Sequence, residues 1–505
     1  MSARGRKTDM ELYKKLKQYQ ETDAYPFHMP GHKRNRELMR EIYGGEPCSP
    51  FDVDITEIDG FDDLHHAEGI LRDAMEFMAW SVGAKESRFV VNGSSGGILA
   101  AIYAACRPGS GLAAARNCHR SVAHGMQLCQ LVPYYIYPQD DPILGISMGI
   151  TMEMVEDILE KHGDISAILV TSPTYEGIVS DIRGIAEAAH RHHALLIVDE
   201  AHGAHLPFGK ESGLPESAVT QGADLVIQSI HKTLPALTQS AALHICSDRV
   251  DISRVDQGLR MFETSSPSYV MMAGMDACMR YMASKGSKRL KRVNEEVDEI
   301  YRRVSRMEEL RLLTPETVTA AGPFSFDRMK LVLSAAHLPH FGGELHRMLS
   351  QRWHLQPEMS TPEYVILMTT VGDQSSGLKR LADAFDEINR ELAVLRKCRD
   401  SEAYDVRKPQ ETEVSGSLFV LPEAEVVVRP DLAAEGETET IDVRCAAGRV
   451  SAEMAYIYPP GIPFLMPGER IRKEHVQLIR YYREFNRELH GMNDETGETV
   501  KVLVR

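Results

Sequence analysis

The stretch Leu195–His205, LLIVDEAHGAH, decides the fold of this chain. A short apolar run, Leu195–Val198, passes directly into the titratable residues Asp199, Glu200 and His202. Continuous apolar runs of this length, without polar alternation, are typical of strands buried on both faces of a parallel sheet. The stretch therefore predicts an interior strand whose carboxyl end carries polar groups.

Further apolar runs repeat this arrangement. They are Phe89–Val91, Leu112–Ala115, Tyr134–Tyr137, Ala167–Val170, Leu225–Gln228 and Ala241–Cys246. Because helix-length segments separate the runs, the pattern predicts an α/β domain with a mostly parallel, seven-stranded sheet. Ligands of such sheets bind beyond the carboxyl ends of the strands, where nearly every run ends in Gly, polar or titratable residues.

The composition excludes several classes of protein. The 505 residues carry 57 Lys and Arg against 73 Asp and Glu, a net charge of −16, which argues against nucleic acid or an anionic membrane as the main partner. No apolar run reaches the roughly 18 residues of a membrane span, and the charged start of the chain does not resemble a signal peptide. Eight scattered cysteines without a Cys-x-x-Cys pair indicate reduced thiols. We expect an acidic, soluble, cytoplasmic protein.

The remainder of the chain divides into smaller predicted units. In order, we expect an N-terminal segment (1–50), a large domain (51–283), a small α/β domain (284–400) and a C-terminal α+β domain (401–505). An amphipathic helix, Leu378–Leu395, closes the predicted small domain. The polar stretch Cys398–Ser415 is typical of a linker.

The motif Asn92–Gly97 follows the first predicted strand. A helix predicted to begin at Ile98 would point backbone N–H groups, together with the hydroxyls of Ser94 and Ser95, at an anion such as phosphate. The motif lacks the lysine of a P-loop and the spacing of G-x-G-x-x-G, so neither nucleotide fingerprint is present. Taken alone, a helix N-cap after a glycine turn explains it equally well.

Three titratable residues follow other predicted strands. Asp199 can hold a proton on a ring nitrogen, the poorly solvated amine of Lys232 can attack a carbonyl, and the flat ring of His119 can stack on an aromatic ligand or act as a base. Taken singly, a turn cap, a surface lysine and a structural histidine are the more ordinary explanations. The nearby His202 and His205 do not form the His-Glu-x-x-His pattern of a zinc helix, so no metal site is expected.

Taken together, the four motifs favour one cofactor. A phosphate cradle, a carboxylate for a ring nitrogen, an amine for an aldehyde and a flat side chain for a ring face are the requirements of pyridoxal 5′-phosphate (PLP). All four lie at strand ends of the same predicted sheet. The sequence therefore predicts a PLP site at that edge.

The chain also resembles a known family over almost its whole length. The stretches that carry the resemblance are PFHMPGHK (26–33), DDLH (62–65), NGSSGG (92–97), RNCHRS (116–121), SPTYEG (172–177), DEAHG (199–203), SIHK (229–232) and YPPGIP (458–463). They resemble the ornithine/lysine/arginine decarboxylases of the PLP-dependent fold type I, or aspartate-aminotransferase-like, superfamily. Because only Met1–Tyr25 precedes the first motif, the chain resembles short-form members without an N-terminal wing domain, and the ring assembly associated with that domain is not expected.

The resemblance implies a role for each matching residue. Lys232 matches the Schiff-base lysine, Asp199 the partner of the pyridine nitrogen, and His119 the histidine stacked on the ring. The other residues implied to surround the cofactor are Ser94, Ser95, Ala201, His202, Ser229 and His231. In such enzymes the neighbouring subunit of a homodimer completes each site, and the stretch Thr264–Ser268, with Ser266, is the expected contributor.

The reaction implied by the resemblance is decarboxylation of a basic amino acid to the amine and CO2. Arginine or lysine is favoured over ornithine, because short-form relatives often use them. The distal cation of the substrate needs an acidic partner, and the candidates are Asp52, Asp54, Glu57, Asp59, Asp62, Asp63 and Glu453. An aminotransferase and a catalytically silent PLP-fold regulatory subunit are the alternatives.

Overall fold

A seven-stranded sheet lies at the centre of the computed structural model, which describes residues 11–141, 144–400, 421–458, 461–484 and 489–504. In chain order its strands are Glu86–Val90, Gly111–Ala115, Val132–Ile136, Ile165–Thr171, Leu195–Asp199, Leu225–Gln228 and Ala241–Ile245. Their spatial order is first, seventh, sixth, fifth, fourth, second, third, and the seventh strand runs antiparallel to both of its neighbours. The other neighbouring pairs are parallel. The predicted sheet is confirmed, and each apolar run overlaps one strand.

Helices pack on both faces of this sheet. Alternate strand residues enter separate apolar cores, so that Leu196 and Val198 lie in one and Ile197 in the other. The helices with buried residues in the first core include Ile70–Val82, Met152–Lys161, Ile182–Arg191 and Tyr269–Tyr281. Those of the second core are Gly93–Ala105, Arg120–Leu128 and Ile252–Phe262. Burial of both faces explains why the strands are continuously apolar.

The helix after the first strand begins earlier than predicted. It spans Gly93–Ala105 rather than starting at Ile98. Gly96 and Gly97 allow this helix to approach the sheet closely. A Cβ on Gly97 would lie 3.2 Å from the Ile227 side chain. The first turn therefore contains Ser94 and Ser95.

A four-stranded antiparallel sheet forms the core of the small domain. The strands, in spatial order, are Leu310–Leu312, Lys330–Ala335, Tyr364–Met368 and Met359–Ser360. The helices of this region are Ser287–Val304, Pro315–Ala321, Gly342–Arg347 and Ser375–Asp400. The closing helix is longer at both ends than the predicted Leu378–Leu395. It includes the first residues of the predicted linker, whose residues 401–415 lie outside the described part of the chain.

The N-terminal residues join the large and small domains. The helices there are Glu11–Gln20, Arg36–Tyr43 and Pro50–Val53. The short strand Tyr25–Phe27 pairs in parallel with Leu355–Pro357 of the small domain. A second pairing joins the large and small domains directly, since Ile178–Val179 pairs with Ser325–Phe326.

None of the described helices combines the length and apolar character needed to cross a bilayer.

A C-terminal unit packs beside the large domain. It contains the helices Pro430–Glu435 and Lys473–Glu484, and the strands Thr438–Asp442, Ala455–Ile457, Ile462–Leu465, Leu489–His490 and Thr499–Leu503. Arg116 of the large domain and Glu469 form an ion pair at 2.9 Å, with both side chains only 1% exposed. A buried pair of this kind is costly to break, so it fixes the C-terminal unit against the residues that lead to His119. The bounds of the four predicted units stay predictions.

Candidate active site

A cavity of about 540 Å³ lies at the carboxyl ends of the parallel strands. The predicted site residues that line it are Ser94, Ser95, His119, Asp199, Ala201, His202, Ser229, His231 and Lys232. Thr361 of the small domain and Phe464 of the C-terminal unit also contribute to the wall. Three parts of the chain thus enclose one space, and the predicted residues come together in it, although their individual roles stay predictions.

The register between the parallel strands determines which residues lie at the sheet edge that borders this cavity. Thr171 pairs with Asp199, and Asp199 pairs with Ile227 of the next strand. Ser229 follows directly after Gln228, the last residue of that strand. Three adjacent strands therefore present Thr171, Asp199 and Ser229 at the same edge of the sheet.

Several polar atoms of the wall have no protein partner. The oxygens Ser229 Oγ, Thr171 Oγ1 and Asn117 Oδ1 are buried and make no hydrogen bond to any described residue. Buried polar atoms in folded proteins are nearly always paired. Because all three oxygens belong to residues around one cavity, we interpret them as groups that bind the polar atoms of a ligand.

Asp199 is the carboxylate at the centre of this edge. Its side chain is buried, and its Oδ1 accepts a hydrogen bond from the Ala201 N–H at 3.1 Å. Burial raises the pKa of Asp199, while the nearby Lys232 lowers it. A ligand cation beside this carboxyl would stabilise its ionised form.

The amine of Lys232 lies 3.0 Å from His202 Nε2. Burial lowers the pKa of Lys232, and the carboxylates Asp199 and Glu358 act in the opposite direction. A lowered pKa increases the fraction of free amine near neutral pH. Lys232 is therefore suited to nucleophilic attack on a carbonyl.

His119 caps the helix Arg120–Leu128. Its Nδ1 accepts the Ser121 N–H at 3.2 Å and lies 2.8 Å from the Ser121 hydroxyl. Burial and the charge of Lys232 lower the pKa of His119 to about 3. The ring is therefore neutral, fixed in orientation and a weak base, which favours stacking over proton transfer.

The acidic residues expected to bind the substrate cation do not line this cavity. Glu453 accepts backbone N–H groups of Asn493 and Lys501. Asp62 accepts four backbone N–H groups, from residues 63, 68, 69 and 71, and so stabilises a turn. Within one chain these two carboxylates have structural roles, and the expectation that they bind the substrate is not supported there.

Ser266 also lies away from the cavity of its own chain. It lines a second, open hollow together with Asp54, Ile55, Thr56 and Ile58. Its expected contribution to the site of a neighbouring subunit stays a prediction.

Glu176 was not assigned a role from the sequence, although it lines the cavity. The Tyr364 hydroxyl donates to Glu176 Oε1 at 2.9 Å, and burial raises the pKa of this carboxyl. Its position shortly after the strand Ile165–Thr171 was the available signal.

Lys330 is a second residue that the sequence did not reveal. It is buried at the start of the strand Lys330–Ala335, and its Nζ lies 3.1 Å from His202 Nδ1. His202 and Lys330 are 128 residues apart in sequence. No local pattern distinguishes this lysine from a surface lysine.

Comparison with known proteins gives consistent matches along the chain. Residues 10–360 match the family model "Orn/Lys/Arg decarboxylase, major domain", and residues 422–502 match the C-terminal domain of the same family. The chain is 32% identical over 496 residues to an arginine decarboxylase of Bacillus subtilis, and the alignment covers 97% of each protein.

Solved structures show the same fold. A lysine decarboxylase of Francisella novicida superposes with a TM-score of 0.71 at 19% identity, over 88% of this chain and 73% of that chain. An alanine–glyoxylate aminotransferase of Nostoc superposes with a TM-score of 0.53 at 13% identity, over 73% of this chain and 96% of that chain. The predicted PLP fold type I is confirmed.

Proposed function

From the premise that this chain belongs to the Orn/Lys/Arg decarboxylase family and is an amino acid decarboxylase, we propose that it binds PLP and releases CO2 from arginine or lysine. The observation that carries this proposal is the 540 Å³ cavity, which joins the Lys232 amine, the Asp199 carboxylate and the unpartnered Ser229 hydroxyl. We favour arginine, because the Bacillus subtilis relative is named an arginine decarboxylase.

The residues around the cavity fit the cofactor by their chemistry. When bound, PLP supplies an aldehyde for covalent attachment and a pyridine ring that accepts electrons when its nitrogen is protonated. Lys232 provides the amine for the aldehyde. Asp199 provides the carboxylate that holds the ring proton, because a paired cation favours its ionised form.

Three serines are the candidates for the phosphate group. Ser94 and Ser95 lie in the first turn of the helix Gly93–Ala105, where backbone N–H groups and the helix dipole favour an anion. Ser229 also lines the cavity, and its hydroxyl makes no hydrogen bond to a described residue. His231 is a further residue implied to surround the cofactor. Its Nδ1 lies 2.9 Å from the Ser240 carbonyl oxygen, and this contact sets the orientation of its ring.

Glu176 is the candidate partner of the substrate's distal cation. Among the described residues of the cavity wall, Asp199 and Glu176 are the two carboxylic acids. Since Asp199 is assigned to the cofactor, Glu176 remains for the substrate. The hydrogen bond from Tyr364 orients the carboxylate, and guanidinium groups bind oriented carboxylates by paired hydrogen bonds.

The aminotransferase alternative receives less support. An aminotransferase would need an arginine that grips the substrate carboxylate, and no arginine occurs among the described residues lining the cavity. The silent regulatory subunit is disfavoured because Lys232 and Asp199 both face the cavity.

A homodimer is the assembly that we propose. Phe51 and Trp80 are large apolar side chains that are 96% and 71% exposed in one chain, so a partner that covered them would bury apolar surface. Asp54, Ile55, Thr56 and Ile58, which follow Phe51 in the chain, line the open hollow together with Ser266, the residue expected to reach a neighbouring site. A second copy of the chain is the partner that would satisfy both features.

The first prediction concerns the product. PLP-loaded protein incubated separately with arginine, lysine and ornithine should release CO2 and the corresponding amine, with the highest rate for arginine. Mass spectrometry of the reaction identifies the amine. A keto acid in place of the amine would favour the aminotransferase, and no product from any basic amino acid would favour the silent subunit.

The second prediction concerns Lys232. Lys232→Ala should abolish turnover and the visible absorbance of covalently held PLP, because no other described lysine lines the cavity. The matched control is Lys161→Ala, an exposed lysine at the end of a helix, which should change neither. Retention of either signal in Lys232→Ala would contradict the assignment.

The third prediction concerns Glu176. Glu176→Gln should raise the KM for the basic amino acid roughly tenfold or more, since a hydrogen bond to a charged group contributes about 1.5–3 kcal/mol. The absorbance of bound PLP should remain. Steady-state kinetics should show no such change for Asp59→Asn, a member of the acidic run. A raised KM in Asp59→Asn alone would return the cation site to that run.

The fourth prediction concerns the assembly. Sedimentation equilibrium should give a mass of twice 56.5 kDa for the wild-type chain. The double variant Phe51→Asp, Trp80→Glu should give monomers, because a buried charge opposes association. The control Val394→Glu replaces an exposed apolar residue of the small domain and should remain dimeric. A monomeric wild-type protein would contradict the proposal.

A further inference from the structure

Two arginines lie at the two ends of the short segment that contains His119. Arg116 follows directly after a strand of the large sheet, and Arg120 begins the next helix. Between them, Asn117 and His119 line the cavity, whereas Cys118 is buried in the apolar core on one face of the sheet. Two residues that face the cavity thus lie between two guanidinium groups.

Arg116 is anchored to the C-terminal unit. Its Nη2 donates to the Phe464 carbonyl oxygen at 3.0 Å and to Glu469 Oε2 at 2.9 Å. The Met466 N–H donates to the same carboxylate oxygen at 3.0 Å and so holds it in place. On the large domain, the guanidinium carbon lies 4.5 Å from the centre of the Tyr135 ring. Because a buried ion pair is costly to break, these contacts give Arg116 one well-defined position.

Arg120 is anchored to the same unit. Its backbone N–H donates to the Gly461 carbonyl oxygen at 3.1 Å. Its guanidinium donates to the Tyr456 hydroxyl, and the guanidinium carbon lies 4.9 Å from the centre of that ring. Gly461 has a φ of +88°, and a Cβ built there would lie 3.6 Å from His119 Nε2. The backbone of the C-terminal unit therefore lies against the imidazole and also holds the residue that follows it.

The side chains that face the cavity do not supply such anchors themselves. Asn117 Oδ1 makes no hydrogen bond to any described residue. The His119 ring contacts Ser121, which is only two residues away, so this contact moves with the segment. Contacts that tie the segment to a distant part of the chain come instead from Arg116 and Arg120.

We propose that Arg116 and Arg120 are positioning residues, which anchor the segment 117–119 to the C-terminal unit and thereby determine where the His119 ring lies in the cavity. The C-terminal unit then acts on the site in two ways, through Phe464 in the wall and through the two anchors. The inference rests on the proposed function for the role of His119 toward PLP. The anchoring itself is a property of the chain without PLP.

The first experiment measures hydrogen–deuterium exchange by mass spectrometry in protein prepared without PLP. One variant is Arg120→Met, and the other is the double variant Arg116→Met, Glu469→Gln, which leaves no unpaired buried charge and so avoids the large destabilisation of a single change. In both, the backbone N–H groups of residues 119–122 should exchange roughly tenfold faster, because loss of an anchor lowers the free energy of local opening. The strand Leu195–Asp199 should exchange as in the wild-type protein. Unchanged exchange of residues 119–122, or equal acceleration of that strand, would overturn the proposal.

The matched control is Arg449→Met. Arg449 also forms an ion pair, with Glu439, and its Nη2 donates to the Leu503 carbonyl oxygen at 2.8 Å. All three residues belong to the C-terminal unit, so this variant loses the same kinds of contact without releasing the His119 segment. Residues 119–122 should exchange at the wild-type rate. Equal acceleration in the control and in the anchor variants would show general loosening and would overturn the proposal.

The second experiment uses the PLP-loaded protein. Visible absorbance reports how much cofactor is held, and visible circular dichroism reports how asymmetric the surroundings of its ring are. In the anchor variants the ratio of circular dichroism to absorbance should fall, whereas Arg449→Met should keep the wild-type ratio. An unchanged ratio in the anchor variants would overturn the proposal. Failure of the wild-type protein to hold PLP would instead refute the proposed function, and the exchange experiment would still test the anchoring.

Discussion

The register between the parallel strands is the constraint on which the whole site depends. Thr171, Asp199 and Ile227 lie side by side, and this places Ser229 at the same edge. Side chains alternate between the faces of a sheet, so a slip of one residue would exchange the residues on the two faces. The apolar cores on both faces oppose such a slip, because Leu196, Ile197 and Val198 would all change sides. Packing far from the cavity therefore determines where the carboxylate of Asp199 lies.

A consequence of this construction is that several charged or titratable side chains are buried, among them Asp199, Arg116 and Lys330. Ionised side chains lose solvation on burial and persist there only when other groups compensate. Here such a compensation crosses a domain boundary, because Glu469 of the C-terminal unit forms an ion pair with Arg116 of the large domain. The same burial that lowers the pKa of Lys232 also makes it reactive, so the cost in stability and the chemistry have a common cause.

The parts of the site that could be predicted are those encoded locally. Continuous apolar runs followed by polar residues indicated the sheet and the strand-end cluster around Lys232 and Asp199, and the motifs indicated the family, which is confirmed. Contacts between distant segments have no such signal. Lys330 contacts His202 across 128 residues of sequence, and Gly97 approaches Ile227, a residue of another strand.

The charge balance of the cavity favours a cationic substrate. If Asp199 is matched by a protonated ring nitrogen, Glu176 is the carboxylic acid of the described cavity wall that is left for the substrate. Burial raises the pKa of Glu176, and a substrate ammonium or guanidinium would reverse that shift by pairing with it. The net charge of −16 acts in the same direction over longer distances, since it attracts cations and repels acidic amino acids. A basic amino acid is therefore the substrate that both the cavity and the whole molecule favour electrostatically.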